Sequence, residues 1–194
     1  MNEPVAATTV DAPKIITERS EKSSGRAAVL AKLRGGGAVP ARPPLAHVGL
    51  TWLGGFLAIA TVALLGLSTE TVLVLGSFGA SCVLVFGFPE SPFSQPRNVV
   101  AGHFIASLTG LVFLHALGPH WWSMALALAT AIALMQLTRT VHPPAGSNPL
   151  IVFLGGASWQ FLLTPTLLGA MALVLVALVY NNLPSTRRYP HYWF

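Results

Sequence analysis

The stretch His142-Pro143-Pro144-Ala145-Gly146-Ser147-Asn148-Pro149 gathers the residue types best able to do chemistry in this chain. Asn148 before Pro149 is a helix-start signal: asparagine suits the N-cap, and proline needs no amide in the first turn. Pro143 and Pro144 bar a continuous helix through the motif. Gly146 permits close backbone approach or a positive φ. The chain is therefore expected to turn here and start a new helix. Its N-terminus offers unpaired amides and about half a positive charge. With Ser147, Asn148 and a protonated His142 beside it, such a terminus suits a small anion. The competing reading is a proline-rich turn in which His142 and Ser147 only cap backbone groups.

A second interruption, Gly76-Ser77-Phe78-Gly79-Ala80-Ser81, breaks another apolar run and nominates Gly79, Ala80 and Ser81 as partners approaching from the opposite face. His103 is a polar residue inside an apolar span, and such residues usually point inward. Arg97 and Arg139 flank the same region. Each suits either anion attraction at a mouth or an interfacial anchor, and Arg139 precedes His142 by only three residues. His103 and His115 are too far apart on one helix to share a metal, and no thiolate or carboxylate supports them. No cofactor is expected.

The elements that must hold these residues are membrane spans. Of 194 residues, 53% are hydrophobic and only 9% charged, where a soluble domain is nearer a quarter charged. Between Pro43 and Thr186 only Glu70, Glu90, Arg97 and Arg139 are charged, leaving uncharged runs at 43–69, 71–89, 98–138 and 140–186. A spanning helix needs about 20 such residues. Cys82, the only cysteine, excludes an internal disulfide and reads as a packing residue. The high pI of about 10 comes from the two ends. With no aromatic and basic interleaving, it does not indicate nucleic acid.

The fold class expected is an all-α polytopic membrane protein with about six membrane segments, two of them broken or re-entrant. Residues 1–42 read as a polar, mostly disordered cytoplasmic tail, with a short basic surface helix at Ser20–Leu33. The membrane domain runs over 43–183, and 184–194 form a short cytoplasmic C-terminal tail. No apolar region near Met1 suggests a cleaved signal. With six crossings, every Lys and Arg falls on the side of both termini and only Glu70 lies opposite. The positive-inside rule makes that side the cytoplasmic face of a bacterial-type inner membrane. A shift of 66 residues lays Ala80-Ser81 on Gly146-Ser147. This is compatible with a three-plus-three inverted repeat, an arrangement that places interrupted helices at the repeat interface.

At these motifs the chain resembles the HPP family of integral membrane proteins. The resemblance rests on His142-Pro143-Pro144-Ala145-Gly146 and on Gly76-Ser77-Phe78-Gly79-Ala80-Ser81. Ser94-Gln95-Pro96-Arg97-Asn98 and Gly102-His103 extend it, over about residues 45–183. It implies a multi-span membrane protein, usually described with four helices around the motif. Some members are associated with nitrite transport. The expected function is a transporter or channel for a small inorganic anion, nitrite first, with the lipid bilayer as surroundings and a homo-oligomer compatible with the glycine-rich spans. The alternative is a non-transporting scaffold whose tail recruits partners. No enzyme is expected: Ser147 with His142 is the one candidate nucleophile and base, and no third residue orients that histidine. No Asp or Glu lies inside a span, so any proton coupling must use His103, His115 or His142.

Overall fold

The computed structural model describes residues 25–34, 36–184 and 187–193. Most of the tail expected to be disordered, residues 1–24, lies outside the described residues, as does the start of the expected surface helix. The remainder of that helix is present as α1 (Gly25–Leu33), so the tail is not wholly irregular. Met1–Arg42 and Pro43–Phe194 form two separate compact units.

The second unit is built from α2 (Leu45–Ser68), α3 (Gly76–Gly87), α4 (Pro96–Leu117), α5 (Trp121–Leu137), α6 (Asn148–Leu154) and α7 (Leu168–Asn182), with no strand among the described residues. Three helices are long and apolar enough to cross a bilayer: α2, α4 and Trp159–Asn182, of which α7 is the larger part. The last of these is kinked at Thr164 (φ −129°, ψ 118°), just before Pro165. At about 1.5 Å per residue, α5 reaches roughly 25 Å, α3 roughly 18 Å and α6 roughly 10 Å.

Two of the short helices, α3 and α6, follow similar chain reversals. After α2 the chain reverses at Thr69-Glu70-Thr71. The Thr69 amide bonds Leu65 O, the Thr71 amide bonds Gly66 O, and the two threonine hydroxyls meet at 2.7 Å. Thr138-Arg139-Thr140 repeats this turn after α5. There the amides bond Leu134 O and Met135 O, and the hydroxyls again meet at 2.7 Å. The central residues are left-handed, Glu70 at φ 53° and Arg139 at φ 57°. That conformation costs a residue with a Cβ about 1–2 kcal/mol, which the paired hydroxyls and satisfied helix-end carbonyls offset. Extended backbone follows each turn, at 72–75 and 140–142. A short helix follows: α3 in one case, a tight Pro143–Ser147 turn and α6 in the other. The order helix, reversal, extended stretch, short helix, long helix thus occurs twice.

Contacts at the helix ends show the course of the chain. His47 Nε2, near the start of α2, donates to Gly87 O at the end of α3 (3.0 Å), so α3 runs back beside α2. Arg97 at the start of α4 donates to Thr138 O just past α5 (2.9 Å). Asn181 near the end of α7 reaches Val85 O (3.0 Å). One end of the bundle therefore gathers Arg97, Arg139 and Arg187, and the other carries Glu70. The third helix of each half crosses over: α4 packs on α5 and α6, while α7 packs on α2 and α3. Phe78, Phe86, Val62, Val85 and Leu173 fill the core, and Trp52, Phe56, Leu64, Leu175 and Val179 form an exposed apolar belt. Small residues set the closest approaches. A Cβ at Gly102 would lie 2.8 Å from His142 Cβ and 3.0 Å from Thr140 O, and one at Gly110 would lie 2.9 Å from Pro149 Cα.

The C-terminal residues are not a free tail. Tyr189 donates its hydroxyl to Ser94 O (2.8 Å), and the His191 amide bonds Gln95 Oε1 (2.8 Å). Tyr192 donates to Pro92 O (3.0 Å) or to Asn98 Oδ1 (3.2 Å). Buried Gln95 organises this loop by donating to Pro89 O and Ser91 O, both at 2.9 Å. Burial pushes the Tyr189 phenol up, which keeps it a neutral donor. The segment forms a strap over the Arg97 end of the bundle.

Gly102→Ala should destabilise the detergent-solubilised protein by about 1–3 kcal/mol, because backbone rather than a flexible side chain meets the new methyl. Gly146→Ala, which would meet nothing within 4 Å, should leave thermal unfolding nearly unchanged. Tyr189→Phe should free the strap, so trypsin cleavage after Arg187 and Arg188 should speed up severalfold while the helical circular dichroism is preserved.

Candidate functional site

Helical spacing places the interior polar residues. On α4, His103 and Ser107 are four apart and stack on one face, and on α3 Ser77 and Ser81 do the same. The broken stretch after α5 lies between these two helices and contributes His142 and Asn148. Thr166 comes from the kinked start of the last pass. All seven are buried within a bundle whose other interior residues are largely apolar.

His142 is held at both ring nitrogens. Its Nδ1 lies 2.7 Å from Phe93 O, and a carbonyl can only accept, so Nδ1 carries the proton. Nε2 is then the acceptor for the Ser81 hydroxyl at 2.8 Å. Ser81 Oγ also lies 3.1 Å from Ser77 O, so its single hydrogen has two acceptors to choose from. When His142 takes a second proton, Nε2–H donates to Ser81 Oγ and the hydroxyl turns to Ser77 O. Both protonation states keep every bond in this chain satisfied. His103 stacks at a tilt on His142, ring centres 5.0 Å apart, and on Phe78 at 5.1 Å. Its Nδ1–H donates to Val99 O (2.9 Å). Asn148 Nδ2 donates to Ser107 Oγ (2.8 Å), which meets Thr166 Oγ1 at 2.9 Å.

Three atoms of this seam have no hydrogen-bond partner in the protein: Ser77 Oγ, His103 Nε2 and Asn148 Oδ1. An unpaired buried polar group costs about 1–3 kcal/mol, so each of the three calls for an explanation. Below the seam, toward the Glu70 end, opens a cleft of about 480 Å³ lined by Glu70, Thr71, Ser158, Gln160, Thr164 and Pro165. The last two adjoin Thr166. At the opposite end the seam rises to Asn98, which bonds Val141 O (2.9 Å) beneath the C-terminal strap.

The residues nominated from sequence divide. Ser81, His103, His142 and Asn148 meet in the seam. Gly79 and Ala80 are exposed on the outer side of α3, since a helix turns them away from the face that carries Ser77 and Ser81. Ser147 Oγ bonds Pro144 O at 2.9 Å, which is the capping role, and Gly146 is half-buried beside it. His142 is not at the α6 N-terminus at all, because its nitrogens are taken by α3 and the 92–94 turn. Arg139 is exposed at its reversal, and Arg97 is half-buried against Thr138 O. Ser77, Ser107 and Thr166 were not singled out as site residues. The four-residue spacings of Ser77 with Ser81 and His103 with Ser107 carried a signal for the first two; Thr166 and the Phe93 carbonyl had none.

Ser81, His142 and Phe93 O have the bonding order of a nucleophile, a base and an orienting acceptor. Ser81 and His142 are nevertheless fully enclosed, so no carbonyl substrate can reach the hydroxyl in this conformation.

Residues 40–190 match the HPP transmembrane-region family. Two transmembrane proteins of Dictyostelium discoideum are similar: one is 40% identical over 167 residues, covering 80% of this chain and 59% of the relative. The other is 37% identical over 175 residues, covering 84% and 56%. The chain thus spans a little over half the length of these relatives. No solved structure matches.

Ser81→Ala should lower stability by about 1–3 kcal/mol, because it strands His142 Nε2 in the interior. Ser77→Ala, whose hydroxyl has no partner to lose, should cost less than roughly 0.5 kcal/mol. Paired thermal melts in one detergent would compare them, and equal losses would refute the role given to Ser81.

Proposed function

This chain belongs to the HPP family of integral membrane proteins, and from that premise we propose that it is a transporter or channel for a small inorganic anion. The observation that carries the reading is the buried seam of Ser77, Ser81, His103, Ser107, His142 and Asn148, with three polar atoms left unpartnered. A static core avoids such groups, whereas a solute path needs them. Irregular backbone at membrane depth is tolerated where it is enclosed by protein or lines a watery cavity. Both broken passes bring their extended stretches and short helices to this seam.

In this reading the chain crosses six times, the broken passes being the second and fifth, and the two halves form an inverted repeat. The identical reversals at Glu70 and Arg139 support that arrangement. They are 69 residues apart, so the repeat enters with that offset and loses three residues before Ser81 and Ser147 align at 66. The end bearing Arg97, Arg139 and Arg187 is cytoplasmic by the positive-inside rule, in a bacterial-type inner membrane. The cleft at Glu70 is then the outer vestibule, and the strap closes the inner mouth. Nitrite leads the candidate solutes because the resemblance set out above associates members of this family with it. It is also a compact acceptor that a single hydroxyl or imidazole N–H can hold. The enclosed Ser81–His142 pair positions groups in the path and is not catalytic, so a fluorophosphonate probe is expected to leave Ser81 unlabelled.

Purified protein in liposomes should raise nitrite uptake over protein-free vesicles, beside nitrate, formate and chloride as comparisons. Asn148→Leu should reduce the protein-dependent rate by about tenfold or more, the cost of removing one buried hydrogen-bonding group. Absence of flux for all four anions from folded protein would refute transport and favour the scaffold role.

A further inference from the structure

The hydrogen-bonding sense of the seam is the wrong way round for a bare anion. An anion needs donors, and two of the three unpartnered atoms are acceptors. His103 must keep its proton on Nδ1 to satisfy Val99 O, so the neutral ring turns a lone pair, not a hydrogen, into the seam at Nε2. Asn148 must direct Nδ2 toward Ser107 and the His103 carbonyl, which only accepts, so Oδ1 is likewise left bare. Of the three unpartnered atoms only the Ser77 hydroxyl can donate. A cation fits no better, because no carboxylate among the described residues contacts the seam. α3 presents Phe78 to His103 and Ser81 to His142; the broken stretch presents His142 and Asn148; α5 adds Met135 near Gly102, and the kinked last helix adds Thr166 through Ser107. Among these only His142 titrates. Arg97, at the start of α4, commits its guanidinium to Thr138 O.

We infer that the anion passes this seam together with one proton, held on His103 Nε2, so that the pair crosses without net charge. The inference rests on the transport reading above. Protonating Nε2 converts the orphaned acceptor into a donor and supplies the missing counter-charge in one step. The anion then lies between the imidazolium N–H and the Ser77 hydroxyl. Asn148 Oδ1 places the negative end of its dipole in the same seam, which favours a positive ring and opposes a lone anion. In the loading step an N–H bond forms at Nε2 with a proton from the aqueous side. In the release step that bond breaks and the proton leaves with the anion, with nothing oxidised or reduced.

His142 is unsuited to the same role. Both its nitrogens are engaged, and a second proton, held on Nε2, is donated to the Ser81 hydroxyl, which turns to Ser77 O, instead of toward a solute. With ring centres 5.0 Å apart, charging both rings at once is opposed by like-charge repulsion. One proton at a time is the arrangement the pair permits. An anion entering without it would have to shed its hydration against two lone pairs, which is unfavourable.

The test uses the full-length protein in liposomes loaded with a pH dye, with membrane potential clamped by potassium and valinomycin. Protein-free vesicles measure the leak of nitrous acid. Protein-dependent nitrite influx should acidify the lumen by one proton per anion and be indifferent to the sign of the clamped potential. Influx that follows the potential and leaves luminal pH unchanged overturns the inference while leaving transport standing. Absence of any protein-dependent flux removes both. His103→Gln keeps a donor for Val99 O but cannot take the proton, and should slow influx about tenfold to a hundredfold, the range for a lost charge-assisted bond. Wild-type rate and stoichiometry in that variant would overturn the assignment to His103. Should His103→Gln fail to fold, Ser77→Ala serves: it should slow influx while keeping one proton per anion, and an unchanged rate would refute the seam as the path.

Discussion

The two ring bonds of His142 join three parts of the chain that are far apart in sequence. Phe93 lies 49 residues away and Ser81 61 residues away. Through them the 92–94 turn, α3 and the second broken pass are locked to one another inside an apolar bundle. The glycine at 102 is part of the same device, since only a residue without Cβ lets His142 Cβ and the Thr140 carbonyl lie this close to α4. Remove either imidazole bond and a polar atom is left unpaired where no water of the bulk can reach it. The seam holds its shape because that penalty is larger than the cost of ordering the residues concerned.

A membrane interior magnifies this logic. Lipid offers no hydrogen bonds, so a broken helix must have its backbone satisfied by the protein. Here the problem is solved twice by one device, a left-handed residue between two threonines whose hydroxyls pair across the turn. The central position faces water in both copies and is free to vary. It carries Glu70 at one end of the bundle and Arg139 at the other. A single repeated turn can thereby report the sidedness of the chain, with the acid at one face and the base at the opposite one.

The arrangement also explains why the seam lies between halves and not within one. Helices α4 and α7 each cross to pack on the opposite half, so Ser107 of α4 meets Thr166 of the last pass and His103 of α4 meets His142 of the second broken pass. Any relative movement of the two halves would change these contacts first. The C-terminal strap bears on the same region through Ser94, Gln95 and Asn98.

Much of the architecture was legible in the residues alone. Uncharged runs announce membrane helices, because a charge in lipid is so costly that its absence is informative. The proline pair announced the break at 143–147, since proline restricts the backbone wherever it occurs; the glycine cluster expected to interrupt the other apolar run lies inside α3, and that break comes before it, at 69–75. The candidate site was only half legible. His142, Asn148, Ser81 and His103 were nominated from sequence as solute-binding residues around the start of α6; the structure buries all four in one seam and ties His142 to α3 and the 92–94 turn instead. Which hydroxyl meets His142 depends on the rotation of α3 about its axis, and that is set by packing of Phe78 and Phe86 in the core. The same rotation turns Gly79 and Ala80 outward. The threonine turns were equally visible as letters, but three intervening residues shift the offset and hide the correspondence. The C-terminal strap had no sequence signal, because its partners at Pro92, Ser94, Gln95 and Asn98 lie about 95 residues away in the chain. Local chemistry thus determined where the chain breaks and what it can offer there. Only tertiary packing decided which of those groups face each other, because that choice is made by contacts between segments dozens of residues apart.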